Sequence, residues 1–341
     1  MTSTDTFVEY ELSASEADEL RELAERVGTW GEDPVTAAFY DRARPAVERL
    51  PNGLRAFLEG FAAEQAAACL IHGLPEPEPP VRPTPAHWRE AAADRSTAGR
   101  ETLLALCAMT LGEPYTWATL QSGRLIQDVL PIAGDEKRQN GHSSDTLLEF
   151  HTEDGFHDSR YDFLLLMGLR NHDRIPTTVA SIRDVDLDET DQELLRRPNF
   201  HILPDDEHVR QMEALGGPGH PALHKMRRMQ RHPEPVAVLF GDEKHPYLRL
   251  DRPFMRSADG DPAAERALDR LVDALAAARR DIVVEAESVL VVNNHLAVHG
   301  RMPFTARYDG TDRWLKKLGV GREPRNGDAR HGAPAGPRVL F

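Results

Sequence analysis

Cysteine is nearly absent from this sequence: Cys69 and Cys107 are the two in 341 residues, each inside a run that reads as apolar helix. Two such thiols read as buried side chains, which excludes a disulfide-built scaffold and a four-cysteine zinc site. No run approaches the roughly 18 uninterrupted apolar residues of a membrane span. The opening, MTSTDTFVEYELSASEADEL, has neither a basic segment nor an apolar core, so no signal peptide is expected and the cytoplasm is the default compartment. A basic excess is lacking too. Lys and Arg number 41 against 56 Asp and Glu, a net charge of −15, which argues against a general nucleic-acid or anionic-membrane surface. What is there is a globular composition in a chain long enough to bury a sizeable core without staples.

Ser13-Ala-Ser-Glu16 predicts a capping box, followed by Ala17, Leu20, Leu23, Ala24 and Val27 at helical spacing. A second helical region is expected over 62–69. The stretch GLPEPEPPVRPTPAHW (73–88) has six prolines in sixteen residues. It must be a stiff, extended connection, either a domain boundary or a segment covering one domain. ETLLALCAMTL (101–111) predicts a buried helix ending at Gly112. Beyond it come short strand-like runs between turns: GRLIQDVLPI, DTLLEFH, YDFLLLMGL, TTVASI, NFHILP, EPVAVLF, HPYLRL and ESVLVVNNH. A late helix over 261–281 carries the stripe Ala264, Leu268, Leu271, Val272, Leu275 and Ala276. Together they predict a β-sandwich or barrel-like core. The Gly-, Pro- and Arg-rich stretch 321–338 is expected to be loop-like.

Polar residues crowd the end of one strand-like run, LLEFHTEDGFHDSRYDF (147–163). In a strand, residues i and i+2 share a face, so His151 and Glu153 can converge on one ion. Two His and a carboxylate on one side of a metal leave positions open for a cosubstrate and dioxygen, the arrangement of non-haem Fe(II) oxygen chemistry. The third ligand would come from VVNNHLAVHGR, which offers His295 and His299. Alone, H-x-E is a weak signal. A second copy, His232-Pro233-Glu234, lies in a basic surface stretch, and His151 could equally sit in a solvated turn. A 2-oxoacid cosubstrate also needs a cation for its distal carboxylate, and the planar fork of arginine suits this best. Arg313 lies fourteen residues after His299 in ARYDGTDRWLKK. There Tyr308-Asp-Gly310 reads as a turn that would fold the next strand back beside the one carrying His299. A surface arginine in a hairpin is the alternative.

FHTEDGFHDSRYDFLLLMGLRN and VHGRMPFTARYDGTDRWLKK, taken together, resemble the clavaminate synthase-like group of Fe(II)/2-oxoglutarate oxygenases. Within it they resemble the amino-acid hydroxylases acting on arginine, its cyclic derivative enduracididine, asparagine or lysine in antibiotic biosynthesis. PVAVLFGDEKHPYLRLD fits as well, and the resemblance runs from about residue 83 to 341. It implies a mainly β fold with flanking helices, a distorted double-stranded β-helix or jelly roll. The chain would be one oxygenase domain. A helical part would span about 1–112, the core about 113–320 with a helical insert near 261–281, and a tail about 321–341.

The resemblance implies iron ligands at His151, Glu153 and His299, with His295 in a supporting place. It implies Arg313 on 2-oxoglutarate with Thr177 or Thr178 beside it, and dioxygen as co-reactant. For the substrate it implies Asp251 of YLRLDRPF facing a guanidinium, Lys317 facing the amino-acid carboxylate, and Gln121 with the loop 139–144 on the substrate side. Asp154, His157 and Asp158 are then left to lid or surface roles. The implied activity is hydroxylation of a free amino acid, at the β or γ carbon of arginine or an arginine derivative. Other substrates, desaturation, or a jelly roll that only binds are the alternatives. Glu153 argues against halogenation, which needs that carboxylate gone.

Three places depart from the relatives. WATLQSG replaces WATQQDG, so Leu120 stands where a glutamine would meet the substrate amino group. Glu287-Ser288 replaces G-D, and Val292-Asn293-Asn294 replaces I-D-N.

Overall fold

The computed structural model describes residues 6–76, 80–216, 219–322 and 338–340. Strand β1 (Phe7–Glu11) leads into Ser13, whose hydroxyl accepts the Glu16 N–H while the Glu16 carboxylate accepts the Ser13 N–H. This is the predicted capping box, and it satisfies donors that helix α1 (Ala14–Gly28) would otherwise leave open. Helices α2 (Ala37–Ala43) and α3 (Asn52–Glu64) follow.

The helix expected over 62–69 ends early. Gln65 turns left-handed (φ 56°), and Ala68–His72 form β2. Cys69 therefore lies in a strand, paired with Val8 on one side and Val291 on the other; tertiary pairing overrides local helical texture here. Both thiols are buried, as expected. The proline-rich segment packs on the core as a cover. Leu74 donates to the Glu287 carbonyl, Thr84 to those of Gly310 and Asp312, and Arg170 reaches its Val81 and Arg82 carbonyls. Helix α4 (Trp88–Ala91) and the buried α5 (Ala98–Leu111) complete the helical part. Gly112 follows α5 where a Cβ would lie 2.2 Å from the Gly321 carbonyl oxygen, so glycine alone lets these backbones approach.

Every strand-like run of the sequence carries a strand. A strand outside those runs, β3 (Glu113–Trp117), comes first, followed by β4 (Gln127–Val129), β5 (Leu148–His151), β6 (Phe163–Arg170) and β7 (Thr177–Ser181). Helix α6 (Glu189–Arg196), β8 (Phe200–Ile202) and the hairpin of α7 (Asp206–Gly216) and α8 (Pro221–Arg231) come next. Then follow β9 (Leu239–Gly241), β10 (Pro246–Leu248), β11 (Met255–Ser257), α9 (Pro262–Ala277) and β12 (Arg280–Ile282). The last strands are β13 (Val289–Asn293), β14 (Ala297–Arg301), β15 (Trp314–Gly321) and β16 (Val339–Leu340). Helix α9 stops short of 281 because Arg280–Ile282 pair with β7 instead. Most of the stretch expected to be loop-like lies outside the described residues; its first residue, Gly321, still belongs to β15, and β16, just past its end, pairs with β3. Among the described residues no helix is long and apolar enough to cross a membrane.

Two sheets face each other in a jelly roll. The larger runs β1-β2-β13-β6-β15-β3-β16, with β4 against β15; the smaller runs β12-β7-β14-β5. Alternation sorts the side chains. Phe163, Leu165 and Met167 of β6 pack outward with α1, α3 and α5, while Leu164 and Leu166 pack inward with Val179, Ala297 and Val298. A strand covered on both faces needs no polar positions, hence the unbroken FLLLMGL.

The turn at Tyr308–Gly310 exists, with Tyr308 and Gly310 at φ 55° and 88° and the Asp312 carboxylate accepting the Arg307 and Tyr308 N–H groups. The strand after it does not lie beside β14, contrary to expectation. Both edges of β14 are already taken by β5 and β7, so β15 crosses to the larger sheet and pairs with β6.

Candidate active site

His151 on β5 and His299 on β14 are direct cross-strand partners, their ring centroids 4.2 Å apart. Gly300 makes this pairing possible: a Cβ there would meet the Leu148 carbonyl oxygen at 2.4 Å and the Thr178 hydroxyl at 2.9 Å. His151 Nδ1 donates to the Glu149 carbonyl (2.9 Å), which leaves Nε2 as a lone-pair donor. Burial, with His299 beside it, pushes the His151 imidazole down to about 4, so at neutral pH it is uncharged and able to ligate.

Glu153 follows β5 in a tight turn where Asp154 is left-handed (φ 54°). Asn294 grips its peptide from both ends, accepting the Glu153 N–H (2.7 Å) and donating to the Glu153 carbonyl (3.0 Å). The Glu153 carboxylate then lies 3.4 Å from His299 Nε2 and 3.9 Å from His151 Nε2. Among the described residues this is the one group of His, Cys, Asp or Glu whose ligand atoms all lie within 4.8 Å. Burial alone would raise the Glu153 pKa. Lys317, whose Nζ donates to it at 2.6 Å, and the two imidazoles together outweigh burial and hold it well below the carboxylate range. Two imidazoles and one anionic carboxylate on one side of a point fit a divalent iron with open positions. His295 is not part of this group; it bonds Asp162 (2.8 Å) and Arg160 (3.0 Å). Nor are His232 and Glu234, exposed past the end of α8.

Arg313 arrives from the opposite sheet, on the same face of the chain as Leu315 and Lys317. Its Nη2 donates to Thr177 Oγ1 (2.8 Å), while its buried Nε has no partner. An unpaired guanidinium N–H in a pocket is costly unless an anion takes it, and a carboxylate fits. Thr177 lines the pocket. Thr178, its neighbour on the strand, does not: it faces Gly300 on the other side. Burial, then the nearby Arg301, lowers Arg313 to about 9. Arg301 itself ties down the loop over the pocket by donating to the Ser143 carbonyl and hydroxyl and to the Thr146 carbonyl.

Asp251, Lys317, Leu120 and Gln121 all line the same pocket, as do Gln139, Asn140, Gly141 and His142 of the expected loop; Ser143 and Ser144 do not. Asp251 is bridged to His151. Burial, then Asp205 and Glu153, push its carboxyl well above the usual range. Gln121 turns out to be committed elsewhere. Its side-chain amide bonds both the N–H and the carbonyl of Asp128 (2.9 and 2.8 Å), so it shapes the wall.

Asp154 and His157 are neither lid nor surface. Asp154 is buried, accepting from Trp117 Nε1 (2.5 Å) and bonding His208 Nε2 (3.1 Å); His157 is buried against the Trp117 ring. The turn after β5 folds inward because the Thr152 N–H is taken by the Leu250 carbonyl (2.7 Å). Asp158 is exposed and pairs with Arg249.

Sequence reading missed Asn294, Asp205, Glu207 and Arg301. Asn294 was visible as the retained last letter of the I-D-N motif, and Arg301 as the neighbour of His299. Asp205 and Glu207, which close the pocket from the start of α7, sit in LPDDEHV and read there only as a helix start.

The profile of the taurine catabolism dioxygenase TauD/TfdA family matches residues 101–318. Enduracididine beta-hydroxylase of Streptomyces hygroscopicus is 37% identical over 312 residues, 89% of this chain and 91% of that protein. The crystal structure of the non-heme iron oxygenase OrfP with Fe, succinate and (3S)-hydroxy-L-Arg is similar at a TM-score of 0.90 and 35% identity, over 98% of this chain and 99% of that one. OrfP with Fe and alpha-ketoglutaric acid gives 0.85 and 34%, over 98% and 100%.

Proposed function

The chain belongs to the taurine catabolism dioxygenase TauD/TfdA family and is an Fe(II)- and 2-oxoglutarate-dependent dioxygenase; from that premise we propose that it hydroxylates a free cytoplasmic amino acid with a cationic side chain, arginine or an arginine derivative, at the β or γ carbon. The relatives support this: one is named for β-hydroxylation of enduracididine, and another is solved with 3-hydroxyarginine. The observation that carries it is the set of ionisable groups that share the pocket. One pocket is lined by Arg313, by His151, Glu153 and His299 with Lys317 bonded to Glu153, and by the buried carboxylates of Asp251 and Asp205.

In this reading His151, Glu153 and His299 hold the iron. Arg313 and Thr177 take the distal carboxylate of 2-oxoglutarate, a pairing in which the planar fork fixes both position and orientation. Iron, 2-oxoglutarate and dioxygen supply the oxidation: one oxygen atom enters the C–H bond as hydroxyl, the other ends in succinate, and carbon dioxide leaves. The chain's own task is to place one carbon beside the metal and exclude water. Lys317 holds the substrate carboxylate, Asp251 and Asp205 share the cation, and Leu120 offers an apolar wall. Two buried carboxyl groups whose pKa burial raises are poised for a guanidinium, since pairing offsets the penalty both carry.

The test is succinate release with Fe(II) and 2-oxoglutarate across arginine, enduracididine, ornithine, lysine and asparagine, with product masses read alongside. A gain of one oxygen on a guanidino substrate is expected. Turnover of asparagine alone would overturn the substrate class, and no turnover with no iron retained would leave a protein that only binds.

A further inference from the structure

Strand β15 carries a lysine pair within WLKKL, and the two point to opposite faces of the sheet. Lys317 lines the pocket with Leu315 and Arg313. Lys316 is fully buried on the other side, between the sheet and α5. Its Nζ lies 2.7 Å from Glu101 Oε1 on α5 and 2.6 Å from Asp128 Oδ1 on β4, directly across the strand pair. Asp128 Oδ1 also accepts from Trp314 Nε1 (2.8 Å), and Glu101 accepts from Thr97 Oγ1 (3.2 Å). Burial works against the ammonium, but the two carboxylates outweigh it and the lysine stays charged.

Three charges inside an apolar layer are a poor route to stability, since well-packed apolar groups of similar volume do as well or better. They do distinguish one register from another. A slip of one residue sends every side chain of a strand to the opposite face. Within WLKKL the apolar pattern barely resists that slip; farther along the strand Gly319, where a Cβ would overlap the Tyr161 ring, resists it too. One face offers Leu315 and Lys317, the other Trp314, Lys316 and Leu318, so either register gives each face a lysine and a large apolar residue. Each lysine meets carboxylates on its own face in this arrangement, Lys316 at Glu101 and Asp128 and Lys317 at Glu153, and a slip by one residue either way takes one lysine from its partners.

We propose that Lys316 is a positioning residue: its buried pairs with Glu101 and Asp128 lock the register of β15, and so decide that Lys317 and Arg313 reach the site. The lock rests on the reading of those two residues given above. It acts through the strand and touches neither cosubstrate nor substrate. Asp128 extends it to the pocket wall, because its backbone holds the Gln121 amide.

The neutral triple variant Lys316→Met/Glu101→Gln/Asp128→Asn tests it, since it removes the charges while keeping volume. The single Glu101→Gln, which keeps one ion pair, is the milder variant should the triple fail to fold. Amide hydrogen exchange of 314–320 is read first on the metal-free protein, where iron chemistry plays no part. The expected result is a normally cooperative thermal transition with exchange in β15 faster by about tenfold and exchange in β13 unchanged. With Fe(II) present, KM for 2-oxoglutarate and for the amino acid should each rise by about fivefold or more, with smaller loss in kcat and succinate in excess of hydroxylated product. Exchange and both KM values within about twofold of wild type, in whichever variant folds, overturn the lock. Lys317→Met separates the two readings. It should raise KM for the amino acid without changing β15 exchange, and an unchanged KM there would overturn the substrate role of Lys317 while leaving the exchange result to judge the lock.

Discussion

Asp205 serves two ends with one carboxylate. Its Oδ1 accepts the N–H groups of Glu207 and His208 (2.9 and 3.1 Å), capping α7, and it faces the pocket from that position. Burial is the largest influence on its pKa, followed by His208, which lowers it, and Asp154, which raises it; the result lies above the ordinary 3.8. Between 3.8 and the raised value the folded state binds more protons than the unfolded chain, so stability falls as pH rises through that window. Asp205→Asn keeps the cap and removes the charge. Its melting temperature relative to wild type should therefore climb as pH rises from about 4 towards neutrality, a change measurable by thermal scans across pH. The same variant should lose about ten- to a hundredfold in kcat/KM for a cationic amino acid, the value of a hydrogen bond to a charged group. A flat stability difference across pH would show that Asp205 is not strained by burial. Arg313→Met addresses the cosubstrate. It should raise KM for 2-oxoglutarate by about a hundredfold and leave the amino-acid KM close to wild type, read from initial rates.

At the scale of elements, β14 and β5 form the metal-bearing pair, and their contact is set by backbone approach at one glycine. Gly300 lies where a Cβ would overlap the Leu148 carbonyl and crowd Thr178. Gly300→Ala forces β14 away from β5 and β7, at a cost of about 1–3 kcal/mol in urea unfolding. Because His151 and His299 sit across that pair, the same substitution should weaken Fe(II) binding by more than tenfold, as distances in a metal site tolerate only about 0.2 Å. Full metal affinity in a destabilised Gly300→Ala protein would separate strand packing from site geometry.

Across the whole molecule, the two sheets meet at the site. The iron ligands sit on and beside β5 and β14 of the smaller sheet, while Arg313 and Lys317 belong to the β15 segment of the larger. A cosubstrate held by both should fasten one sheet to the other. In the presence of Fe(II), 2-oxoglutarate at a hundred times its Kd should stabilise the fold by about 2.7 kcal/mol, and chelation of the metal should remove most of that gain. Calorimetry with and without a chelator measures both. In Arg313→Met the gain at the same concentration should shrink sharply; an undiminished gain would mean that the cosubstrate does not bridge the sheets.

The local features were legible because their causes are local. Ser13 and Glu16 form a capping box by spacing alone, and alternation exposes each strand run; His151 and Glu153 were legible as a pair two residues apart, but Glu153 lies in the turn after β5 and is held there by Asn294 rather than by strand alternation. Their union with His299 and Arg313 was legible through the resemblance of two motifs that begin at Phe150 and Val298. What only the tertiary structure decided was pairing and facing. β15 crossed to the larger sheet because β14 had no free edge, and Cys69 entered a strand because β1 and β13 were there to receive it. Thr177 was separated from Thr178 by strand alternation whose sense depends on register, and Gln121 was consumed by a backbone partner seven residues away. Asp205 and Glu207 reached the pocket because α7 packs over it, with His208 bonded to Asp154. Spacing along one chain encodes periodicity and caps; which edge is free, which face looks inward and which polar group is already satisfied are set by contacts between distant segments.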